Sequence, residues 1–461
     1  MSVNLEIVPS NVPSNGRVSF RDGNPLIQFI IGEQDRALIG RSVRLVGDFH
    51  VQLESGDGDD SFVKGGEGAV TARPQINSRL GIYNIIDQLV IKSQVSHQTI
   101  EHIRHYNRFC ASFIPILNSL EDQVGHLSES ALIMPNFEVS YESVLSNPAQ
   151  RGTVGGGNSF CCHLPCGLFN GVQSVPLAGT KGLLIEIHLA PDNNVLYTQN
   201  GEGNALADAF YELSNVRLVC EAEPSGDQSG TFEYNSVHSY YTSINSTNAI
   251  VNFNLGLTRV LGAFANFLPA VSINNLRSDG MATSVLLGGK SPLSEDPQDK
   301  YGAPIKQAVF LRGGQRFPLE YNIDTIHQNP EGSVGLDINY SADAQLTRNF
   351  LDAVKQFSRI TRSAINTNNT WLTTNGGGES QFVSQPNVVG GFDKTNAEGG
   401  LVYGVGVNYD SISGDGVDFT TQNWGVQLET DIQTDTPHAM YLFIHAKNTL
   451  VFKDGGIQVL S

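Results

Sequence analysis

The sequence predicts an all-β protein made of two tandem eight-stranded jelly-roll sandwiches, each with a short inserted helix. Three observations predict this fold: a glycine-rich and weakly charged composition, apolar residues that alternate with polar ones, and an order of predicted elements that occurs twice. At 461 residues, the chain is too long for one ordinary domain, since about 150 residues per domain is usual. Two units of about 230 residues each fit jelly rolls with long loops.

The composition narrows the class of protein. Charged residues make up 16% of the chain and the formal net charge is −18, so the chain lacks the positive field that a dedicated nucleic-acid binder needs. Hydrophobic residues make up 40% and are spread along the whole chain, which disfavours intrinsic disorder. Glycine accounts for 48 residues. A long helical protein would be richer in alanine, leucine, glutamate and lysine than this chain, so that class is disfavoured. A β-rich globular protein with many turns remains.

Alternation with a period of two is the strongest pattern in the sequence. Along residues 42–54 the apolar side chains fall on one face and the polar ones on the other, as in a half-buried strand. Similar runs predict strands at residues 26–31, 86–95, 137–141, 183–189, 211–220, 251–255, 317–323, 334–340, 401–407, 424–429 and 440–446. Segments rich in glycine, aspartate, serine and asparagine predict loops at residues 55–68, 153–159 and 375–380.

Helices are few in this sequence, and their spacing predicts a duplication. Ser96 is a candidate N-cap for a helix that runs to about residue 117, and a second helix is predicted from about Ser341 to residue 360. These caps are 341 − 96 = 245 residues apart, and the strands centred on Ile185 and Val426 are 426 − 185 = 241 apart. We therefore expect a first jelly roll with an N-terminal arm over residues 1–230, a second over residues 231–461, and a hinge at residues 224–230.

Five cysteines are an odd number for a disulfide framework, and they indicate folding in a reducing compartment. Cys161, Cys162, His163 and Cys166 lie close enough in sequence to bind zinc. No second cluster supplies a matching half-site, so small buried or loop cysteines are the preferred interpretation. We predict no metal and no cofactor, and zinc binding by these four residues is the alternative.

The other motifs also have simple structural interpretations. His102 and His105 form an i, i+3 pair on the first predicted helix, where surface histidines suffice as an explanation. The sequence has no nucleophile elbow, P-loop, HExxH motif or dinucleotide fingerprint, so we predict no catalytic residue and no enzyme. Asp57, Asp59 and Asp60 form an acidic run that lacks the closing glutamate of a calcium loop, so we interpret it as a hairpin tip. Two triple glycines are interpreted as flexible loops and not as anion-binding loops: Gly155, Gly156 and Gly157; Gly376, Gly377 and Gly378.

Neither a membrane span nor a signal peptide is predicted. No apolar run approaches the roughly 20 residues that a transmembrane helix needs. Residues 1–10 (MSVNLEIVPS) lack the basic and apolar regions of a secretory signal.

Several strings resemble those of the double jelly-roll major capsid proteins of icosahedral double-stranded DNA viruses, particularly Polinton-like viruses, adintoviruses and virophages. Residues 37–47 resemble an early strand of that family, and residues 81–89 with 99–108 resemble its first strand-then-helix unit. Residues 211–219 resemble the strand that closes the first barrel. The resemblance covers the first half well and rests on architecture in the second half.

The resemblance implies a structural protein of the virion that is made in the host cell's reducing cytoplasm. Its expected partners are further copies of itself, as homotrimers and neighbouring capsomers, together with penton and minor capsid proteins, and it contacts no specific nucleic acid. Four arginines near the helices are candidates for an inner basic patch or for ion pairs between subunits, with isolated surface charge as the alternative: Arg104, Arg108, Arg359 and Arg362.

The main alternative function is a carbohydrate-binding or glycoside-cleaving β-sandwich. Such a protein would expose aromatic side chains in a groove, and this chain has only two tryptophans, Trp371 and Trp424. Paired carboxylates for glycoside hydrolysis are brought together only by the fold, so sequence leaves that possibility open. A receptor-binding fibre is a third class, but the repetitive β-segments typical of fibres are absent from the sequence.

Overall fold

The computed structural model describes most of the first half of the chain and the principal strands of the second half. The described residues are 2–12, 16–21, 23, 25–53, 75–76, 80–114, 126–133, 158–197, 209–225, 230–270, 273, 289–290, 300–301, 305–318, 323–324, 326–328, 340–342, 344–357, 371–374, 380–383, 404–410, 414–430, 434–435, 437–453 and 456–461.

Strands dominate the described residues. Up to residue 230 the strands are β1 (Val3–Ile7), β2 (Arg17–Ser19), β3 (Leu26–Ile31), β4 (Arg36–Leu53), β5 (Gln75–Ile76), β6 (Ile86–Ser93), β7 (Thr99–Arg104), β8 (Asn158–His163), β9 (Val175–Pro176), β10 (Leu183–Leu189), β11 (Leu196–Tyr197) and β12 (Ala209–Pro224). Beyond it they are β13 (Thr231–Ile244), β14 (Asn248–Phe253), β15 (Val260–Pro269), β16 (Gly289–Lys290), β17 (Lys300–Tyr301), β18 (Ile305–Arg312), β19 (Gln315–Arg316), β20 (Ile323–Asp324), β21 (Ile326–Gln328), β22 (Tyr340–Ala342), β23 (Trp371–Thr374), β24 (Ser380–Val383), β25 (Val405–Asn408), β26 (Trp424–Thr430), β27 (His438–Lys453) and β28 (Gly456–Leu460).

The described helices are short. They are α1 (Tyr106–Ala111), α2 (His126–Ala131), α3 (Gly167–Asn170), α4 (Asp192–Val195) and α5 (Ala344–Val354), with 3-10 turns at Gly81–Ile85 and Lys355–Phe357.

Two four-stranded layers occur in each half of the chain, with matching strand order. In the first half the layers are β1-β12-β4-β8 and β3-β10-β6-β7. In the second half the layers are β13-β27-β15-β25 and β14-β26-β18-β20. Their strands pair in the same order as those of the first half, and equivalent strands follow one another in the same order along the chain. The strands β10 and β26 occupy equivalent places and begin 424 − 183 = 241 residues apart.

Strand β13 connects the layers of the two halves into one large sheet. It pairs antiparallel with β27 over its whole length, from Thr231 to Ile244, and it forms a parallel bridge to β7 at His238 and His102. The sheet therefore runs continuously from β25 in the second half to β3 in the first. The boundary at residue 230 remains a prediction.

The strongest sequence patterns correspond to long strands. Of the strand predicted at residues 42–54, residues 42–53 lie in β4, where Val43, Leu45, Phe49 and Val51 are buried. The strands predicted at residues 26–31 and 183–189 are found with those bounds. At 317–323 the prediction is wrong at its start, because residues 317 and 318 form a bend and proline has no N–H for a ladder. The segments 137–141, 55–68 and 375–379 lie outside the described residues, as does 334–340 apart from Tyr340.

The first predicted helix is wrong over most of its length. Ser96 lies in a turn, and residues 99–104 form β7, whose Ile103 pairs with Leu89 of β6. Within the described part of this segment the helix found is α1, and it starts after His105, which has a left-handed backbone at φ 53°. The ladder with β6 outweighs the local helical spacing of the apolar residues.

The second predicted helix is confirmed in its central part. It is found as α5, extended by the 3-10 turn Lys355–Phe357. Phe350, Val354 and Phe357 are buried, as their spacing along one stripe predicts. Ser341 lies in β22 and not at the N-cap, so the predicted start is three residues early.

The N-terminal segment clamps the edge of the first half. The Asn11 side chain donates to Leu26 O at 2.7 Å and accepts from Gln28 N at 2.8 Å, as a neighbouring strand would. Ser10 N donates to Gln28 O at 2.8 Å. Because β1 pairs with β12 in the other layer, this arm bridges both layers and covers the outer backbone of β3, an edge that would otherwise be open to pairing.

Candidate functional site at the junction of the two halves

The junction between the halves is built around a cluster of phenylalanines. Helix α1 of the first half places Phe109 against rings from the second half, with centroid distances of 5.0 Å to Phe357, 5.4 Å to Phe443 and 6.1 Å to Phe264. Phe113, two residues beyond the end of α1, lies 4.9 Å from Phe109 and 5.3 Å from Phe357. All five rings are buried, and edge-to-face pairs of this kind add to the stability that burial gives.

Polar contacts surround this phenylalanine cluster. Asn266 Nδ2, on β15, donates to the backbone oxygen of Arg108 at 2.8 Å and also to Ser112 Oγ. The Arg108 guanidinium lies over the Tyr441 ring at 5.3 Å, and Arg108 is only 3% exposed. The prediction of Arg108 in a surface basic patch is therefore wrong, because this side chain fills the junction.

A buried carboxyl group connects three elements at the same junction. Glu101 of β7 accepts hydrogen bonds from the backbone N–H groups of Gly167 and Leu168 in α3, each at 2.9 Å, and of Val237 in β13 at 2.8 Å. Burial raises the pKa of Glu101 to about 7, and these three N–H donors and the Cys166 thiol partly oppose that rise. One side chain thus holds elements from both halves.

The backbones of α3 and β13 approach closely beside Glu101. A Cβ atom on Gly167 would lie 2.5 Å from Asn235 O and 2.6 Å from Ser236 Cα, so this position requires glycine. Nearby, the Tyr234 hydroxyl donates to Ile100 O at 2.8 Å. These contacts and the phenylalanine cluster make the two halves a single packed block.

The predicted cysteine cluster is spread over two elements. Cys161 and Cys162 are consecutive on β8, where side chains point to opposite faces, and only Cys162 is buried. Cys166 instead caps α3, its sulfur accepting from Phe169 N at 3.3 Å. Within the described part of the chain, no group of three or more histidine, cysteine or acidic side chains could hold a metal ion. The sequence prediction of no metal therefore stays a prediction.

The two histidines of the predicted i, i+3 pair are not together on a helix. His102 Nε2 lies 3.0 Å from Gln88 Oε1 within the sheet. His105 contacts the rings of Tyr241 and Tyr441, at centroid distances of 5.6 and 5.0 Å. Burial lowers the pKa of both histidines.

The remaining candidates are placed as follows. Arg104 is exposed and its backbone N–H donates to Ser239 Oγ at 3.0 Å. Trp424 is fully buried and its Nε1 donates to the Tyr409 hydroxyl at 3.0 Å, so it is not a surface platform for a sugar. Trp371 is on β23. The others lie outside the described residues: Arg359, Arg362, Asp57, Asp59, Asp60, Gly155, Gly156, Gly157, Gly376, Gly377 and Gly378.

Sequence reasoning missed Glu101 and Phe109 as the centre of the junction. Residues 99–104 read TIEHIR, with two apolar residues among six, so the local sequence carries no signal of a buried carboxylate, and glutamate is rarely fully buried.

Comparison with known proteins bears on the fold. No family model matches the chain, and no curated protein matches it in sequence. Among solved structures, the PBCV-1 virus capsid aligns with a TM-score of 0.52 at 10% identity, over 100% of this chain and 96% of that chain. The Sputnik virophage structure aligns at 0.51 and 14% identity, over 100% and 88%, and the Faustovirus major capsid protein at 0.51 and 9%, over 98% and 90%.

This chain is a double jelly roll. The alignments run across both halves of the chain. The shared fold therefore includes the succession of two units along the chain, each built of two four-stranded layers. None of the described helices of this double jelly roll is long and apolar enough to cross a membrane.

Proposed function

We propose that the protein is a major capsid protein whose homotrimers form pseudo-hexameric capsomers of an icosahedral double-stranded DNA virus. The observation that carries this proposal is the full-length likeness to viral capsid structures, which covers 100% of this chain and 96% of the PBCV-1 capsid chain. The alignment leaves little of either chain over.

The junction between the halves supports a structural role on physical grounds. A shell subunit transmits lateral forces from neighbour to neighbour, so its two sandwiches must keep a fixed arrangement. The phenylalanine cluster around Phe109 and the continuous sheet through β13 provide this rigidity. The net charge of −18 keeps free subunits soluble before assembly and disfavours tight binding of the wall to DNA.

The finer parts of the proposal follow from the same role. We place the two jelly rolls at residues 1–230 and 231–461, with penton and minor capsid proteins as further partners and the virion as the final location. The chain acts without enzymatic chemistry and without a metal or cofactor, after folding in the host cell's reducing cytoplasm. The carbohydrate alternative gains no support, because Trp424 is buried.

Solution mass with negative-stain imaging of the purified chain tests this function. We expect a stable trimer of 3 × 49.8 = 149.4 kDa with a hexagonal outline, because six jelly rolls then surround a threefold axis. A glycan array and a polysaccharide hydrolysis assay on the same sample serve as the control for the alternative. A monomer that binds glycans or cleaves a polysaccharide would contradict the capsid proposal.

A further inference from the structure

Strand β14 is an edge strand with one neighbour among the described residues. It pairs with β26 along one side, and Thr247 O, just before it, accepts a hydrogen bond from Thr430 N of β26 at 2.7 Å. In an antiparallel ladder, successive residues direct their backbone groups to opposite sides of the strand. The N–H and C=O groups of Asn248, Ile250 and Asn252 therefore point away from β26. A row of this kind is a template for pairing with another strand.

The equivalent edge in the first half is covered by the chain itself. Strand β3 has the same terminal place in its layer as β14 has in the second half. Its outward backbone groups at Leu26 and Gln28 are bound by Ser10 and Asn11 of the N-terminal arm. Only residues 245–247 separate β13 from β14, so the chain before β14 is too short to form such an arm. A cover of the same kind has to come from elsewhere.

The side chains of the β14 edge are exposed and uncharged. Ile250 is 64% exposed, and Asn248 and Asn252 on the same face are exposed as well. No lysine, arginine, aspartate or glutamate occurs between Glu233 and Arg259. Edge strands are commonly protected from pairing by a charged side chain or a proline, and β14 has neither. In a chain with a net charge of −18, this edge lets two copies meet without opposing like charges.

The sequence of this edge is symmetric about Ile250. When two β14 strands pair antiparallel with Ile250 at the centre, Ile250 lies opposite its own copy and Asn248 lies opposite Asn252 of the second copy. Because these residues direct their backbone outwards, each opposed pair exchanges both of its N–H···O bonds. Asn248 O also accepts from Ser246 Oγ at 3.0 Å, which leaves its second lone pair for the second copy. A twofold contact uses the same patch on both copies, and β14 is complementary to itself in this way.

We propose that β14 is a self-association edge, at which two copies of this chain pair antiparallel about a twofold axis through Ile250. The layers that contain β14 in the two copies then form one continuous sheet, as β13 joins the layers of the two halves within one chain. The inference goes beyond the trimer proposed above and does not depend on it. A trimer around a threefold axis contains no twofold axis, so in a shell the paired copies belong to different trimers.

Cross-linking of full-length cysteine variants tests both the pairing and its register. A bismaleimide too short to span about 13 Å should convert Ile250→Cys into a covalent dimer, because opposed Cβ atoms lie about 5 Å apart. Asn248→Cys and Asn252→Cys should cross-link to each other when they are mixed, but neither to itself, since like positions are then about 13 Å apart along the strands. The wild-type protein is the control for its own cysteines, of which Cys161 is partly exposed.

Two results of the cross-linking would overturn the proposal. The first is an Ile250→Cys protein that forms no more dimer than the wild type, which would leave the edge to a different protein or to another part of this chain. The second is an Asn248→Cys protein that cross-links to itself as strongly as the mixture does, because the copies would then meet in a different arrangement.

Sedimentation velocity at increasing protein concentration measures the association itself. We expect the basic species, whether trimer or single chain, to double in mass reversibly. Ile250→Lys sets two ammonium groups opposite each other in place of an apolar pair, so the dissociation constant for doubling should rise on the order of tenfold. Ile30→Lys is the matched control and should double like the wild type, because Ile30 is a 41% exposed isoleucine on β3, whose edge the arm already covers.

The outcomes of sedimentation separate this contact from the capsid proposal. A wild-type protein that doubles while its basic species is a single chain would contradict the trimer and support the β14 contact. If Ile250→Lys doubles as readily as the wild type, the contact lies elsewhere and the proposal fails. If Ile250→Lys does not fold, which circular dichroism shows, the cysteine cross-links decide.

Discussion

Replacing Phe109 with alanine is expected to lower the free energy of unfolding by about 3–5 kcal/mol, the usual cost of emptying a buried phenylalanine site. The ring is fully buried and contacts Phe264, Phe357 and Phe443 of the second half. The cavity would therefore open between the halves and not within one of them. Urea denaturation followed by circular dichroism and tryptophan fluorescence measures the loss.

The decisive feature is the loss of cooperativity between the halves. Trp371 and Trp424 both lie in the second half, so fluorescence reports on that half while circular dichroism reports on the whole chain. In Phe109→Ala the two transitions should separate, because the coupling between halves is weakened. Phe310→Ala is the matched control: Phe310 is equally buried but packs on Trp424 inside the second half. A single shared transition with a loss below about 1 kcal/mol in Phe109→Ala would contradict this assignment.

The strands of the double jelly roll could largely be predicted from the sequence because alternation is a local pattern. Where one face of a strand is buried and the other is wet, a period of two is forced on the sequence, as along β4 with Val43, Leu45 and Phe49. The equal offset of β10 and β26 was visible for the same reason. Strand β27 is buried on both faces over residues 438–446, yet it too was predicted from alternation, along the face that carries Met440, Leu442 and Ile444.

The prediction of a helix from residue 96 is wrong because the spacing of the apolar residues fits both a helix and an irregular strand. Ile100 and Ile103 are three residues apart, which suits a helical stripe, but a register shift between Ile91 and Lys92 of the partner strand lets both be buried from β7. Such an irregularity depends on the neighbouring strand and has no local signature. The two histidines were misplaced as a direct result.

The junction could not be predicted because its residues come together only through the topology. Phe109 and Phe443 are 334 residues apart in the chain, and nothing local distinguishes a phenylalanine that packs within one sandwich from one that packs between two. Arg108 illustrates the same limit: an arginine on a short helix is typically exposed, but here the ring of Tyr441 covers it.

Replacing Gly167 with alanine is the second change with a large expected effect. The added Cβ would stand 2.5 Å from Asn235 O and 2.6 Å from Ser236 Cα, both backbone atoms of β13 that cannot rotate away. Helix α3 must then move from β13, which also stretches the hydrogen bonds from Gly167 N and Leu168 N to Glu101. We expect the free energy of unfolding, measured by urea denaturation, to fall by about 1–3 kcal/mol, the usual cost of an overpacked core.

Gly171→Ala is the matched control at the other end of α3. Its Cβ would have ordinary contacts at 3.5 Å to Leu168 O and 4.0 Å to Gln173 O, and its φ of −58° suits any residue. This variant should be as stable as the wild type within about 0.5 kcal/mol. Helix propensity alone predicts the opposite sign at Gly167, since alanine is favoured over glycine by about 1 kcal/mol within a helix. A Gly167→Ala protein that equals or exceeds Gly171→Ala in stability would show that the close approach of the two halves does not limit the fold.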